Sequence, residues 1–370
     1  MQARHLVRVD VRTRLVDEKR VGHNRWHPSI PPIARIAPGE VTALDLRDGL
    51  DGHITRTTEA GELAMAEWDV DIPMTGPLFI QGAEPGDLLE VETLHIDPDS
   101  FGFTPITPGS GLLGHRVKST YLVKWDIRDG AAKSGDLPRV RIPGAPFLGL
   151  MGVAPSPERI ESLCEREEEL ARRASAVKLP KAANAVPDLP EIGRRGLRAT
   201  PPREFGGNMD IRQLTAGSKV TFPVEVPGAL FSAGDPHFAQ GDGESGGAAI
   251  EMSATAYLRF SLRKASSLKW RPRYPFFEFL EPAAGTPPRP YFATTGLPID
   301  VDGRNQFLDL NTAATQALEQ MIEYLTIGRG YTTSQAYVIA SVAVDLRISQ
   351  VVDAPNAIVS ALLPLDIFVT

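Results

Sequence analysis

The sequence predicts a mainly β fold: a β-sandwich plus a barrel-like β section, with a C-terminal α/β portion. Three observations predict it. Short runs that alternate apolar and polar residues recur from about residue 5 to 150 and return after about residue 218. Gly 33 and Pro 32 are spread along the chain without a repeat, which favours turn-rich strands over a helical bundle. Clear helical periodicity appears late, around residues 311–330.

Taken in order, "LVRVDVRTRLV" alternates as a half-buried strand does, and "EVTALDLRD", "GPLFIQGA", "DLLEVETLHID" and "STYLVKWDIRDG" repeat the pattern. "APGE" and "EPGD" separate some of them with Pro and Gly placed for type II turns. The piece "APSPERIESLCEREEELARRASA" reads as a surface helix, with Ser156 as cap, Pro157 in the first turn and the "EREEE" run as a solvated face. Residues 176–204, rich in Pro and basic side chains, read as an extended excursion, and residues 265–298 are again Pro-rich. "SKVTFPVEVPGALF" and "ATAYLRFSL" return to strand patterns. "NTAATQALEQMIEYLTIGRG" puts Leu318, Met321, Ile322 and Leu325 on one helical face, with Asn311 or Thr312 as cap and Gly328 or Gly330 as stop. A second helix over about 333–342 leads into "VDLRISQVVD". The expected divisions are a β-rich 1–150, a helix and excursion over 151–205, a β-rich site segment over 206–264 and an α/β part over 265–370.

Composition excludes several classes. The 370 residues are 42% hydrophobic and 23% charged, with a formal net charge of -7 and no basic patch interleaved with aromatics. Nucleic acid is therefore a poor partner. The first twenty residues are charged throughout and lack the apolar core of a secretory signal, and no run approaches a membrane span. Cys164 is the sole cysteine, so an internal disulfide and a CxxC metal knuckle are excluded. A cytoplasmic protein is expected.

Polar chemistry concentrates in "GDPHFAQGDGESGGAAIE", residues 234–251. Asp235 and His237 stand two apart, so an extended chain projects both to one side, and Asp242 and Glu244 repeat the spacing. Glu251 follows on the next strand pattern, and "GGNMDI" upstream sets Asn208 and Asp210 two apart. Histidine with carboxylates suits a divalent ion, zinc being commonest when histidine contributes. The competing reading is that Asp235, Asp242 and Glu244 merely cap a glycine-rich turn. "GESGG" matches G-x-S-x-G around Ser245, but lacks the strand before and the helix after that a nucleophile elbow needs. Asp48 in "LRDGLDGHI" reads equally as site carboxylate or turn residue. His23 and His27 flank Trp26 among prolines, where a helical metal pair fails; a packed loop or a pocket rim is the choice there. His53, His95 and His115 are read as structural.

The motifs "HNRWHPSIPPIARIAPGE", "GPLFIQGAEPGDLLEVE", "GLMGVAPS", "TPPREFGGNMDI", "GSKVTFPVEVPGALFSAGDPHFAQGDGE", "AIEM" and "SVAVDLRISQVVDAPNA", in that order, resemble the acetamidase/formamidase family, closest to its longer formamidase branch. The resemblance implies hydrolysis of short amides to a carboxylic acid and ammonia, a divalent metal, a small amide as substrate and a homo-oligomer. It carries Asn208, Asp210, Asp235, His237, Gln240, Asp242, Glu244 and Glu251 into the site. The expected division places Asp210, Asp235 and His237 on the metal, Glu251 or Glu244 as the catalytic proton shuttle with Asp242 supporting, and Asn208 and Gln240 on the amide. "SGGAAIEM" departs from the family in lacking a cysteine-containing stretch, and its small residues are expected to widen the pocket. A non-catalytic amide- or metal-binding protein, or a hydrolase of a cyclic amide or carbamoyl compound, are the alternatives.

Overall fold

The computed structural model describes residues 3–18, 20–63, 71–173, 177–280 and 289–369. The expected excursion at 176 and the Pro-rich run over 281–288 lie partly outside the described residues.

The protein is mostly β. Among the described residues, a 15-stranded sheet has as its main path the strands Arg141–Pro143, Ala131–Lys133, Tyr121–Arg128, Leu88–Ile106, Glu251–Arg263, Phe231–His237, Phe147–Gly152 and Gly206–Asn208. Strand Met74–Ile80 joins Phe231–His237 from the side, and Val41–Leu46 pairs with Glu251–Arg263. Strands from both the first 150 residues and the 206–264 segment thus share one hydrogen-bonded sheet. Strand Glu251–Arg263 shows why the sequence settles this way: Met252, Ala254, Ala256, Leu258 and Phe260 are buried while the residues between them are half-buried. A period of two sends one set of side chains to each face.

The C-terminal part is a three-stranded antiparallel sheet in the order Tyr291–Gly296, Ile358–Pro364, Asp345–Gln350. Helix Leu310–Glu323 buries Leu318, Met321 and Ile322 as its spacing predicts, and these join the same apolar core as Leu44, Phe231 and Phe260. Its cap is Asp309 rather than Asn311 or Thr312: the Asp309 carboxylate accepts from Thr312 N at 2.6 Å. A capping box between Thr332 and Gln335 starts helix Thr333–Ala343, which is buried on nearly all sides.

Helix Pro157–Ala171 begins at Ser156, whose hydroxyl accepts from Arg159 N at 3.1 Å. Its acidic run is not wholly solvated. Glu167 is buried and takes both Arg203 Nε at 2.6 Å and Nη2 at 2.8 Å, a bidentate pair that ties the helix to the sheet. Among the described residues no helix is long and apolar enough to cross a membrane.

Candidate functional site

The site is built first by strand pairing. His237 stands opposite Glu251 in the antiparallel pair of Phe231–His237 with Glu251–Arg263, so both side chains share a face. Asp235, two residues before His237, joins them. His237 Nε2 lies 3.4 Å from Asp235 Oδ1 and 3.3 Å from Glu251 Oε2, and all three side chains are buried. Glu251 Oε1 accepts from Ala249 N at 2.9 Å, and Gln240 Oε1 lies 3.0 Å from His237 Nδ1. Because the Gln240 amide oxygen can only accept, Nδ1 carries a proton, and Nε2 is the ring nitrogen that faces the carboxylates.

Asp210 arrives just after strand Gly206–Asn208, which lies beyond Phe147–Gly152 in the sheet. Both Met209 N and Asp210 N donate to Gly149 O, at 2.9 Å and 3.1 Å, turning the chain so that Asp210 faces His237. A methyl on Gly149 would stand 2.7 Å from Asp210 Oδ1 and 2.9 Å from His237 Cε1, so only glycine permits this approach. Asp210, Asp235 and Glu244 all have positive φ, of 49°, 53° and 43°. Three non-glycine residues in a sparsely populated region at one site is strain held in place by the surrounding sheet.

Helix Thr333–Ala343 positions the glycine-rich loop. Tyr337 donates its hydroxyl to Ser245 O at 2.6 Å, and Ser341 donates to Ala248 O at 2.6 Å while accepting from Gly246 N at 3.0 Å. This clamp presents Glu244 toward His237: Asp210, His237 and Glu244 bring ligand atoms within 4.8 Å of one another, as do Asp235, His237 and Glu251. Asp242 goes elsewhere. Its carboxylate accepts from Gln213 Nε2 at 3.0 Å, and its backbone N–H donates to Asp345 Oδ1 at 3.2 Å. The Ser245 hydroxyl is buried without a hydrogen-bond partner, so among the described residues no base activates it as a nucleophile.

Crowding of charge sets the protonation of the cluster. Burial pushes Asp210 up to about 7 and Glu244 well above the usual carboxylate range, with the Asp210 charge adding to the Glu244 shift. Burial also raises Glu251, partly offset by His237. For His237 burial acts downward, but the charges of Glu251 and Asp235 overcome it and hold the imidazole well above its ordinary value. Asp235 resists burial through the His237 charge and stays low. Upward shifts at Asp210, Glu244, Glu251 and His237 together mark an excess of negative charge that a cation would relieve.

The donor set fits such a cation. Ligands at ~2.0–2.1 Å around a tetrahedral ion stand ~3.3–3.4 Å apart, close to the separations around His237 Nε2. Nε2, Asp235 Oδ1 and Asp210 Oδ1 are buried atoms without a hydrogen-bond partner. The expected set of Asp210, Asp235 and His237 is divided between two groups, since no group of that spacing joins Asp210 with Asp235 among the described residues.

A cavity of about 270 Å³ opens over Asp235, Glu244, Glu251 and Asn208. Asn208 Nδ2 donates to Asp210 Oδ2 at 2.9 Å, leaving Oδ1 buried and unpartnered. Gly246, Gly247 and Ala248, the small residues of the "SGGAA" departure, line its wall. Gln240 does not: its second amide atom donates to Asp210 O at 2.9 Å, so both ends are engaged within the protein.

Two features escape sequence reasoning. Gly49 abuts the carboxylates, where a methyl would meet Asp235 Oδ1 at 2.2 Å, and Lys178 stands in the cavity wall. The "RDG" turn is the only sequence signal for the first, and the second has none. Asp48 proves to be both turn residue and site neighbour. It accepts from Leu50 N at 2.9 Å and Gly52 N at 3.3 Å, and burial raises it to about 7, with the Glu251 charge contributing. His23 is a packed residue bonded to Ser232 Oγ at 2.7 Å, with burial lowering it to about 4, and Trp26 packs edge-on against Phe205.

Comparison with known proteins places this arrangement. A family model described as the acetamidase/formamidase family matches residues 8–370. A formamidase of Methylophilus methylotrophus is 34% identical, the alignment covering 94% of this chain and 89% of that protein. An acetamidase of Mycolicibacterium smegmatis is likewise 34% identical, over 90% of this chain and 87% of that protein. Among solved structures, a gamma lactamase from Delftia acidovorans superposes with a TM-score of 0.92 at 34% identity, covering 99% of this chain and 94% of the other.

Proposed function

The chain belongs to the acetamidase/formamidase family, and from that membership we propose that it hydrolyses short aliphatic amides to carboxylic acid and ammonia. The observation that carries the mechanism is the buried set of Asp235, His237 and Glu251 opening onto a cavity beside Glu244 and Asn208.

In this reading Asp235, His237 and Glu251 hold one divalent ion, zinc being the best match to an imidazole with carboxylates. When bound, such an ion makes hydroxide available from water at neutral pH. Relative to the sequence expectation, Glu251 moves from proton transfer to ligation, because its Oε2 lies 3.3 Å from Nε2. Asp210 moves the other way. Asn208 lines the cavity and has an unpartnered Oδ1, which accepts from the amide N–H and turns the carbonyl toward the cluster. Glu244, its carboxyl pushed well above the usual carboxylate range by burial, is the acid that delivers a proton to the nitrogen as the C–N bond breaks, without which ammonia is a poor leaving group. Asp210, beside Glu244, adds to the upward shift of that carboxyl when it is ionised. Gln240 fixes the imidazole, and Asp242 steadies the loop through Gln213 rather than moving a proton itself.

The test is ammonia release from formamide, acetamide and propionamide by the wild-type protein and by Glu244→Gln. The expected outcome is turnover reduced by about 10²–10⁴-fold in the variant with metal content unchanged. Wild-type protein that binds these amides and releases no ammonia contradicts the reading and favours a binding protein.

A second reading, ring-opening of a cyclic amide, is favoured by the likeness to the gamma lactamase and by a cavity far larger than a small amide needs. A five-membered lactam belongs in the same panel, with appearance of a primary amine as readout. A homo-oligomer accords with exposed side chains such as Trp270, Tyr274 and Leu280, and light scattering tests it.

A further inference from the structure

The cavity holds more than the proposed reaction uses. At about 270 Å³ it is many times the ~10–15 Å³ that one water requires, whereas formamide has three non-hydrogen atoms and acetamide four. One end of the lining is acidic, with Asp235, Glu244 and Glu251; Lys178 supplies a cation to the same wall.

Lys178 is half-buried and makes no hydrogen bond or ion pair among the described residues. Its ammonium forms no ion pair with Asp235, Glu244 or Glu251. It is therefore not taken up by the carboxylates of the reacting end, where Asn208 and Glu244 engage the amide group. A partly desolvated ammonium without a counter-charge is unfavourable, and an anion delivered by a ligand would compensate it.

We propose that Lys178 is a specificity-determining residue that pairs with an anionic group on the acyl part of the substrate. The preferred class is then the half-amides of short dicarboxylic acids, bound with the amide at the His237 cluster and the free carboxylate on Lys178. The idea rests on the amide-hydrolase reading above and adds to it a statement about the acyl group. The small residues Gly246, Gly247 and Ala248 supply the extra length. The unbranched, flexible lysine side chain can follow a carboxylate at the end of a chain of two or three methylenes.

The experiment compares kcat/KM for succinamate with that for succinamide, which replaces the carboxylate by an amide of the same shape, alongside acetamide. Wild-type protein is expected to prefer succinamate by at least tenfold at low ionic strength, and the preference to shrink as salt is added. Lys178→Met is expected to bring the ratio close to one, and Lys178→Arg to retain most of it. A wild-type ratio of one or less overturns the proposal, as does a Lys178→Met variant in which both substrates fall by the same factor. Turnover of acetamide without turnover of succinamate overturns it too, and leaves the amide-hydrolase reading standing. Absence of turnover with every amide brings down both.

Discussion

Gly49→Ala tests how closely the carboxylates are packed. The turn after strand Val41–Leu46 is held by Asp48, which accepts from the backbone N–H of Leu50 and Gly52 and presses Gly49 against the cluster. The φ of Gly49 lies outside the left-handed region, so the backbone accepts alanine and the effect is contact alone. The new methyl would stand 2.2 Å from Asp235 Oδ1 and 3.2 Å from Glu251 Oε2, where real contacts are essentially never under 3.0 Å. The Asp235 oxygen must retreat by about 0.8 Å. Displacement on the order of 1 Å in a reacting constellation costs about 10²-fold, and overpacking costs a further ~1–3 kcal/mol in stability. We expect kcat/KM for ammonia release from acetamide to fall by about 50- to 100-fold, with lower zinc affinity by chelator competition and a modest fall in Tm. A variant within threefold of wild type in kcat/KM, with unchanged zinc affinity, refutes the reasoning.

Two further outcomes follow from neighbouring groups. Gln240→Met removes the acceptor that keeps the proton on His237 Nδ1, and zinc affinity should fall by about 10- to 100-fold; unchanged affinity in chelator competition refutes that role. Asp48, raised to about 7 by burial, makes a contribution to the stability of the metal-free protein that is full below the ordinary carboxylate pKa near 3.8 and is lost as pH rises through 7. Asp48→Asn stays neutral, so its stability relative to wild type in urea unfolding should rise between pH 4 and 7, by on the order of a few kcal/mol; a difference independent of pH contradicts the burial argument.

Local periodicity made much of the structure legible. Strand Glu251–Arg263 and helix Leu310–Glu323 follow from apolar spacings of two and of three to four. Asp235 with His237 is legible because both lie in strand Phe231–His237, even though the φ of 53° at Asp235 departs from extended backbone. Asp242 and Glu244 have the identical spacing but diverge, because Gly243 at φ 98° and Glu244 at φ 43° make a turn where the two-residue rule fails. One side chain turns to Gln213 and the other to the cluster. Glu167, within an acidic run that reads as solvent-facing, is drawn inside by Arg203, a partner 36 residues away. Gly49 and Lys178 enter the site from distant segments, and single-residue chemistry carries no signal of such encounters.

In the proposed mechanism, amide hydrolysis requires one divalent ion on His237, Asp235 and Glu251. Stepwise return of zinc to chelator-treated protein, with ammonia release from acetamide followed at each addition, tests it most directly. Activity should be absent at the start and rise linearly to a plateau at one equivalent, with His237→Ala regaining none. Full activity in protein holding less than about a twentieth of an equivalent of any divalent metal would contradict it.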